Sequence, residues 1–160
     1  MSTVAVTAFI EVPAAELWAL LTDLPIRAGW LSTVGAVELL TSGQFGPGTA
    51  WRETRTRPDG GDQAEEFVVL AAEPPYRLEL SSPGTGVDYR ITWSLRPAQR
   101  RRRGCTAVTV EHQAVPTAPY GRVLALLFGG LAARAVDGAI RRDLADLAVA
   151  AGSAGRATAA

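Results

Sequence analysis

Pro119 to Ala150 reads PYGRVLALLFGGLAARAVDGAIRRDLADLAVA, a helical run that at about 1.5 Å per residue spans roughly 45 Å. That is long enough to cover a whole sheet. Leu126, Gly129, Ala133, Val136, Ile140, Leu144 and Leu147 recur in steps of three or four and share one stripe, which should face that sheet. The second half of the stripe is bulky and should pack tightly. The first half offers only Gly129 and Ala133, which leave space unless the opposite wall fills it. A ligand would sit in that space, between helix and sheet.

A second apolar stripe, Tyr120, Val123, Leu124, Leu127 and Leu131, runs along the other side of the first half. Loops or short N-terminal helices are its simplest cover, with a homodimer contact or a membrane-facing lid as alternatives. The unbroken apolar run from Val123 to Ala133 is about half of the roughly 20 residues a bilayer span requires, so no stable membrane insertion is expected. Beyond it, Asp137 with Arg141 and Arg142 with Asp146 stand at the spacing of ion pairs on a solvated face.

The chain of 160 residues suits one domain with one core, and 48% hydrophobic with 20% charged residues is ordinary globular usage. Sixteen basic residues, all arginine, balance sixteen acidic ones, so there is no global pull toward nucleic acid or anionic lipid. One cysteine, Cys105, excludes an internal disulfide. The N-terminus runs directly into a strand-like segment without the features of a signal peptide, which makes a cytoplasmic location the expectation. Residues 1–151 form the expected domain. The small, polar tail from Gly152 to Ala160 is expected to be disordered.

Thr3 to Glu11 reads as a strand, ended by Val12-Pro13, and a helix follows from Pro13 to about Thr22 with Leu17, Trp18, Leu20 and Leu21 on its apolar side. Asp23 to Gly29 breaks that helix before a short turn carrying Trp30 and Leu31. Then come six strand-like runs: Val37 to Thr41, Thr49 to Arg57, Gln63 to Ala72, Arg77 to Ser82, Val87 to Arg96 and Thr106 to Gln113. The separators are too short for crossover helices, so the sheet is antiparallel, with helices before and after it. This is an α+β architecture of about seven strands.

The arrangement resembles the START-like (SRPBCC) superfamily, the group of polyketide cyclases and dehydrases and Bet v 1-like ligand carriers, over residues 3 to 150. Its bearers are Val12-Pro13-Ala14-Ala15-Glu16-Leu17-Trp18, Trp30-Leu31, Gly46-Pro47-Gly48-Thr49, Glu73-Pro74-Pro75-Tyr76-Arg77-Leu78, and the closing helix with Leu144 and Leu147. The resemblance implies a helix-grip fold: a curved sheet around the long C-terminal helix, with two short helices after the first strand and an elongated, mainly apolar cavity inside. It does not choose among carriers, cyclases, hydrolases and regulators on that scaffold.

Strand alternation indicates which side chains point inward. Trp51 argues that Glu53 and Arg55 face in with it. On the next strand the apolar content does not decide between Ala64, Glu66, Val68 and Leu70 and the set Glu65, Phe67 and Val69; the family pattern favours Glu66. Tyr89, Ile91 and Trp93 share an apolar face and are expected pocket walls. Val108, Val110 and His112 share the next. Glu53, Glu66 and His112 are the candidate acids and bases for a bound ketone or enol, since desolvation can raise a carboxyl and histidine titrates near neutrality. The alternative is structural: Glu53 paired with Arg55 or Arg52, Glu66 solvated, His112 hydrogen-bonded inside the rim.

One histidine and one cysteine make a metal site improbable, and no cofactor is expected. Gly46-Pro47-Gly48 is a turn, lacking the lysine and hydroxyl residue of a phosphate-binding loop. Arg100 to Arg103 reads as a solvated hairpin loop, without the interleaved aromatics that would argue for nucleic acid. The first functional expectation is therefore binding of a small hydrophobic molecule of polyketide, lipid or isoprenoid type, with Trp51, Tyr89, Ile91, Trp93, Val108, Val110, Leu126, Gly129 and Ala133 as its surroundings. The alternatives are a polyketide aromatase/cyclase or dehydrase using the three acid–base candidates, and a regulator or homodimer using the Leu124, Leu127 and Leu131 stripe.

Overall fold

The computed structural model describes residues 2–159, with the side chains of 121–129, 131 and 153–159 outside the description. β1 (Ser2–Ile10) leads into α1 (Ala14–Thr22), a 3-10 turn (Leu24–Ile26) and α2 (Arg27–Trp30). β2 (Val34–Leu39), β3 (Ala50–Thr56), β4 (Asp62–Glu73), β5 (Arg77–Ser82), β6 (Val87–Arg100) and β7 (Arg103–Pro116) then form a meander, closed by α3 (Pro119–Ala159). The sheet order is β1-β7-β6-β5-β4-β3-β2, and every pair is antiparallel. The two short helices carry the chain from one sheet edge to the other, which lets β1 close against β7. This is the expected helix-grip architecture.

Curvature has local causes. The register shifts between Val34 and Ala36 on β2 and between Val69 and Ala71 on β4, and such bulges bend a strand and increase its twist. The sheet therefore wraps α3 instead of lying flat against it. Residues Ile140, Leu144, Leu147 and Ala151 of α3 are 2% exposed or less, packed with Val6, Ile10, Leu17, Leu95 and Val108 in one core. Each buried leucine or isoleucine there contributes roughly 1.5–3 kcal/mol. At the other end, Tyr120 packs over the β5–β6 turn: a Cβ on Gly86 would stand 2.5 Å from its ring, and Gly86 also adopts φ 75°, so only glycine fits.

Three sequence expectations change. The segment 97–104 is not a long loop, because β6 extends to Arg100 and β7 begins at Arg103. Pro97 is tolerated inside β6 since pairing with β5 stops at Arg77 and Ser94, leaving that side without a ladder. Asp146 does not pair with Arg142; its carboxylate accepts from the Ser32 backbone N–H and hydroxyl, both at 2.8 Å, and ties α3 to the loop before β2. The Asp137–Arg141 pair does form, at 2.8 Å. α3 runs past Ala150 to Ala159, where the tail was expected to lack structure. The side chains of that tail from 153 onward lie outside the description, as do Leu126, Gly129 and the stripe of Val123, Leu124, Leu127 and Leu131.

Candidate functional site

β3 positions the site. Its odd residues face the core: Trp51 is 1% exposed and Glu53 fully buried. Trp51 stacks on Phe67 of β4 with ring centroids 5.4 Å apart, and the register that pairs these two also sets Glu53 opposite Glu65. So Glu65, not Glu66, points inward. Glu66 lies on the outer face, 44% exposed at the side chain, where it accepts from Arg52 at 2.6 Å. The expectation that Glu66 faces the cavity is corrected by that register.

Glu53 is saturated. Its Oε1 accepts from the Trp51 indole N–H at 2.9 Å and from Arg27 Nε at 2.5 Å, and its Oε2 from Arg55 at 3.0 Å. Arg27, on α2, is itself buried and lies over the rings of Trp30 and Trp51, 5.9 and 5.4 Å from their centroids. Arg55 reaches further. Its Nη1 donates to both carboxylate oxygens of Asp143 on α3 at 3.2 Å, and its Nε lies 3.9 Å from Glu65. One guanidinium thereby joins β3, β4 and the covering helix.

The electrostatics follow from this crowding. Burial alone would raise Glu53, but the guanidiniums of Arg27 and Arg55 and the Trp51 hydrogen bond outweigh it and hold the carboxyl below its ordinary range. Glu53 is thus a fixed anion and not the desolvated acid expected from sequence. Burial raises Asp143 and Glu65, against the pull of Arg55 in each case. On β7, burial and then the Arg55 charge push His112 from 6.5 down to about 4. Its imidazole is neutral at physiological pH.

The other expected wall residues divide. Trp51, Ile91, Trp93, Val108 and Val110 are 6% exposed or less and sealed in the core. Tyr89 is 39% exposed at the rim, while His112 and Ala133 are half-buried. The inner-face groups that remain accessible are therefore Tyr89, His112, Glu65, Arg55 and Asp143. Arg27 and Asp143 were not anticipated. Asp143 had a signal: it stands three residues from Ile140 and four from Leu147, on the edge of the buried stripe. Arg27 had none beyond its short distance in sequence from Trp30.

An open groove of about 860 Å³ lies elsewhere, at the end of the sheet, between the start of α1, the β4–β5 turn and β6–β7 (Pro13, Pro75, Tyr76, Pro97 and Cys105 among its lining). None of the site residues expected from sequence lines it. Among the described residues there is no group of three or more metal-ligating side chains, and no helix is long and apolar enough to cross a membrane.

A family model described as polyketide cyclase/dehydrase and lipid transport matches residues 1–152. Among solved structures, the protein TTHA0849 of Thermus thermophilus is similar at 18% identity and TM-score 0.74, over 95% of this chain and 98% of that one. The Zhui aromatase/cyclase of a Streptomyces species is similar at 17% identity and TM-score 0.69, over 94% and 93%. The di-domain ARO/CYC StfQ of the steffimycin biosynthetic pathway matches at 12% identity and TM-score 0.73, with 96% of this chain laid on 52% of that one. At these identities the likeness is one of fold. No curated protein matches the chain.

Proposed function

We propose, since the chain belongs to the polyketide cyclase/dehydrase and lipid transport family, that it binds a small, mainly apolar, ketone-bearing molecule of polyketide type between the inner sheet face and the first half of α3, and moves protons on it. The observation that carries this reading is a neutral imidazole, His112, on the same inner surface as a fixed guanidinium, Arg55. A carrier for hydrocarbon needs neither group. Burying them costs free energy that an apolar lining avoids.

The roles follow from chemistry. Arg55, anchored by Glu53 and Asp143, keeps its charge and orientation, and a cation held in place can polarise a ketone oxygen without reorganising. His112, uncharged, can take a proton from the carbon beside that carbonyl. The enolate so formed can close a ring on a second carbonyl or expel a β-hydroxyl. Tyr89 at the rim and the apolar strands around it supply contact surface.

The test uses a synthetic linear triketone thioester for turnover and 1-naphthol for binding. His112→Ala is expected to slow consumption of the triketone by about 100-fold or more while naphthol affinity changes less than about twofold. Unchanged consumption would overturn the role of His112. Naphthol binding without any triketone consumption by the wild-type protein would favour the lipid-transport side of the family.

A further inference from the structure

The cluster around Arg55 does not balance. Two guanidiniums, Arg27 and Arg55, face three carboxyls, Glu53, Asp143 and Glu65, and His112 adds no charge near neutrality. The carboxyls are served unequally. Glu53 accepts from three side chains, and Asp143 accepts Arg55 Nη1 on both oxygens. Glu65 has Arg55 Nε at 3.9 Å, beyond hydrogen-bond reach, and its carboxylate accepts no hydrogen bond among the described residues. It also sits directly across the ladder from the Glu53 anion. It is the most open of the three, with 35% of its side chain exposed against none for Glu53 and 15% for Asp143.

We propose that Glu65 is the acid of this site: the carboxyl that meets its guanidinium only at 3.9 Å, without a hydrogen bond, and stands across the ladder from the Glu53 anion gives a proton to an oxygen of the bound ligand. The inference rests on the reading of His112 as base. Burial raises Glu65, Arg55 lowers it, and Glu53 and Asp143 raise it again, for a net shift upward. The charged groups that act on it are Glu53 and Arg55 of β3 and Asp143 of α3; beyond them in the cluster lie Arg27 on Glu53 and His112, which feels Arg55. Only Arg55 favours its ionised form, and that guanidinium donates its hydrogen bonds to Glu53 and Asp143.

The step it serves is loss of water from a β-hydroxy ketone. His112 takes the proton from the carbon between the carbonyl and the hydroxyl-bearing carbon, and that C–H pair becomes the new C=C bond. The C–O bond breaks with its electron pair on the hydroxyl oxygen, which takes the Glu65 proton and leaves as water. The imidazolium then releases its proton, and the Glu65 carboxylate regains one from solvent. Nothing is oxidised or reduced.

Two measurements on the full chain decide it. In ¹³C NMR titration of side-chain carboxyls, one glutamate resonance is expected to titrate above the ordinary range and to be missing in Glu65→Gln; a Glu65 resonance titrating at or below that range overturns the proposal. With 4-hydroxy-4-phenyl-2-butanone as the probe, Glu65→Gln is expected to slow enone formation by about 100-fold while leaving exchange of the α-deuterium unchanged, and Glu65→Asp to restore part of the rate. If His112→Ala abolishes exchange but Glu65→Gln dehydrates normally, Glu65 is not the acid and the base reading stands. If His112→Ala leaves exchange intact, the base reading itself fails, and the Glu65 proposal falls with it.

Discussion

Arg52 and Arg55 stand three residues apart on β3, and each hydrogen-bonds two carboxylates, yet they belong to different environments. Arg52 lies on the outer face with Glu38 at 2.9 Å and Glu66 at 2.6 Å, all three side chains at least 41% exposed. Arg55 lies on the inner face with Glu53 at 3.0 Å and Asp143 at 3.2 Å, at 16%, 0% and 15%. The geometry is nearly the same; the dielectric is not. Water screens the outer pairs, and such pairs contribute little. The inner pairs have been taken out of water at a cost that only complete mutual pairing offsets. Ionisation on the inner face responds accordingly, with His112 lowered and Glu65 and Asp143 raised, burial being the first cause in each case. The chain keeps an expensive charge cluster where a ligand would meet the sheet, which is how perturbed acids and bases mark functional sites.

Three experiments break or sharpen that contrast. The largest effect belongs to Glu53→Leu, which strands the buried Arg27 guanidinium and the Trp51 indole N–H and removes one of the carboxylates of Arg55; a loss of about 3–5 kcal/mol is expected in urea unfolding. Adding Arg27→Met should recover part of it, because that unpaired charge leaves with its partner while Arg55 keeps Asp143. A Glu53→Leu protein as stable as the wild type would mean that the inner cluster is solvated like the outer one.

A middle effect comes from pH. The folded His112 value of about 4 lies below its reference of 6.5, so between these the unfolded chain binds more protons. Its contribution is complete above about 6.5 and is lost as pH falls toward 4, by roughly 3 kcal/mol. Raised Glu65 and Asp143 act the other way, favouring the folded state as they gain protons. Comparing wild type with His112→Leu from pH 7 to 4 isolates the first slope, which should vanish in the variant. An unchanged slope would place the imidazole in water. The smallest effect is Arg52→Ala, expected to move the melting temperature by no more than about 2 °C; a larger drop would give the outer pairs a weight that their exposure contradicts.

Part of the site was legible in the sequence. Trp51 fixed the parity of β3, and parity alone puts Glu53 and Arg55 indoors. The turn did not settle the parity of the next strand: a hairpin centred on Pro58 to Gly61 would match odd residues with even, whereas the ladder closes with Arg57 bonded to Gly61, matches odd with odd and brings in Glu65 beside Phe67. The family pattern pointed to Glu66 instead, and the ladder overrules it. The direction of the Glu53 shift was not readable, because it depends on Arg27, twenty-six residues away on a four-residue helix whose sequence carries no periodicity. The expected pocket walls shared that limit: alternation says which face a side chain takes, but not whether a cavity or another side chain lies in front of it.

Sequence by itself determined the elements, their antiparallel order, the inward faces of β3, β6 and β7, and the α3 residues Ile140, Leu144 and Leu147 that seal the core. These depend on periodicity and turn chemistry, which are local. Only the tertiary structure decided that Glu53 is an anion, that His112 is neutral, that Asp143 reaches from the helix to Arg55, and that Glu65 meets Arg55 without a hydrogen bond. A protonation state is set by every charge within a few ångströms and by the water excluded around it. Bending of the sheet around α3 brings those charges together, from segments that lie far apart along the chain.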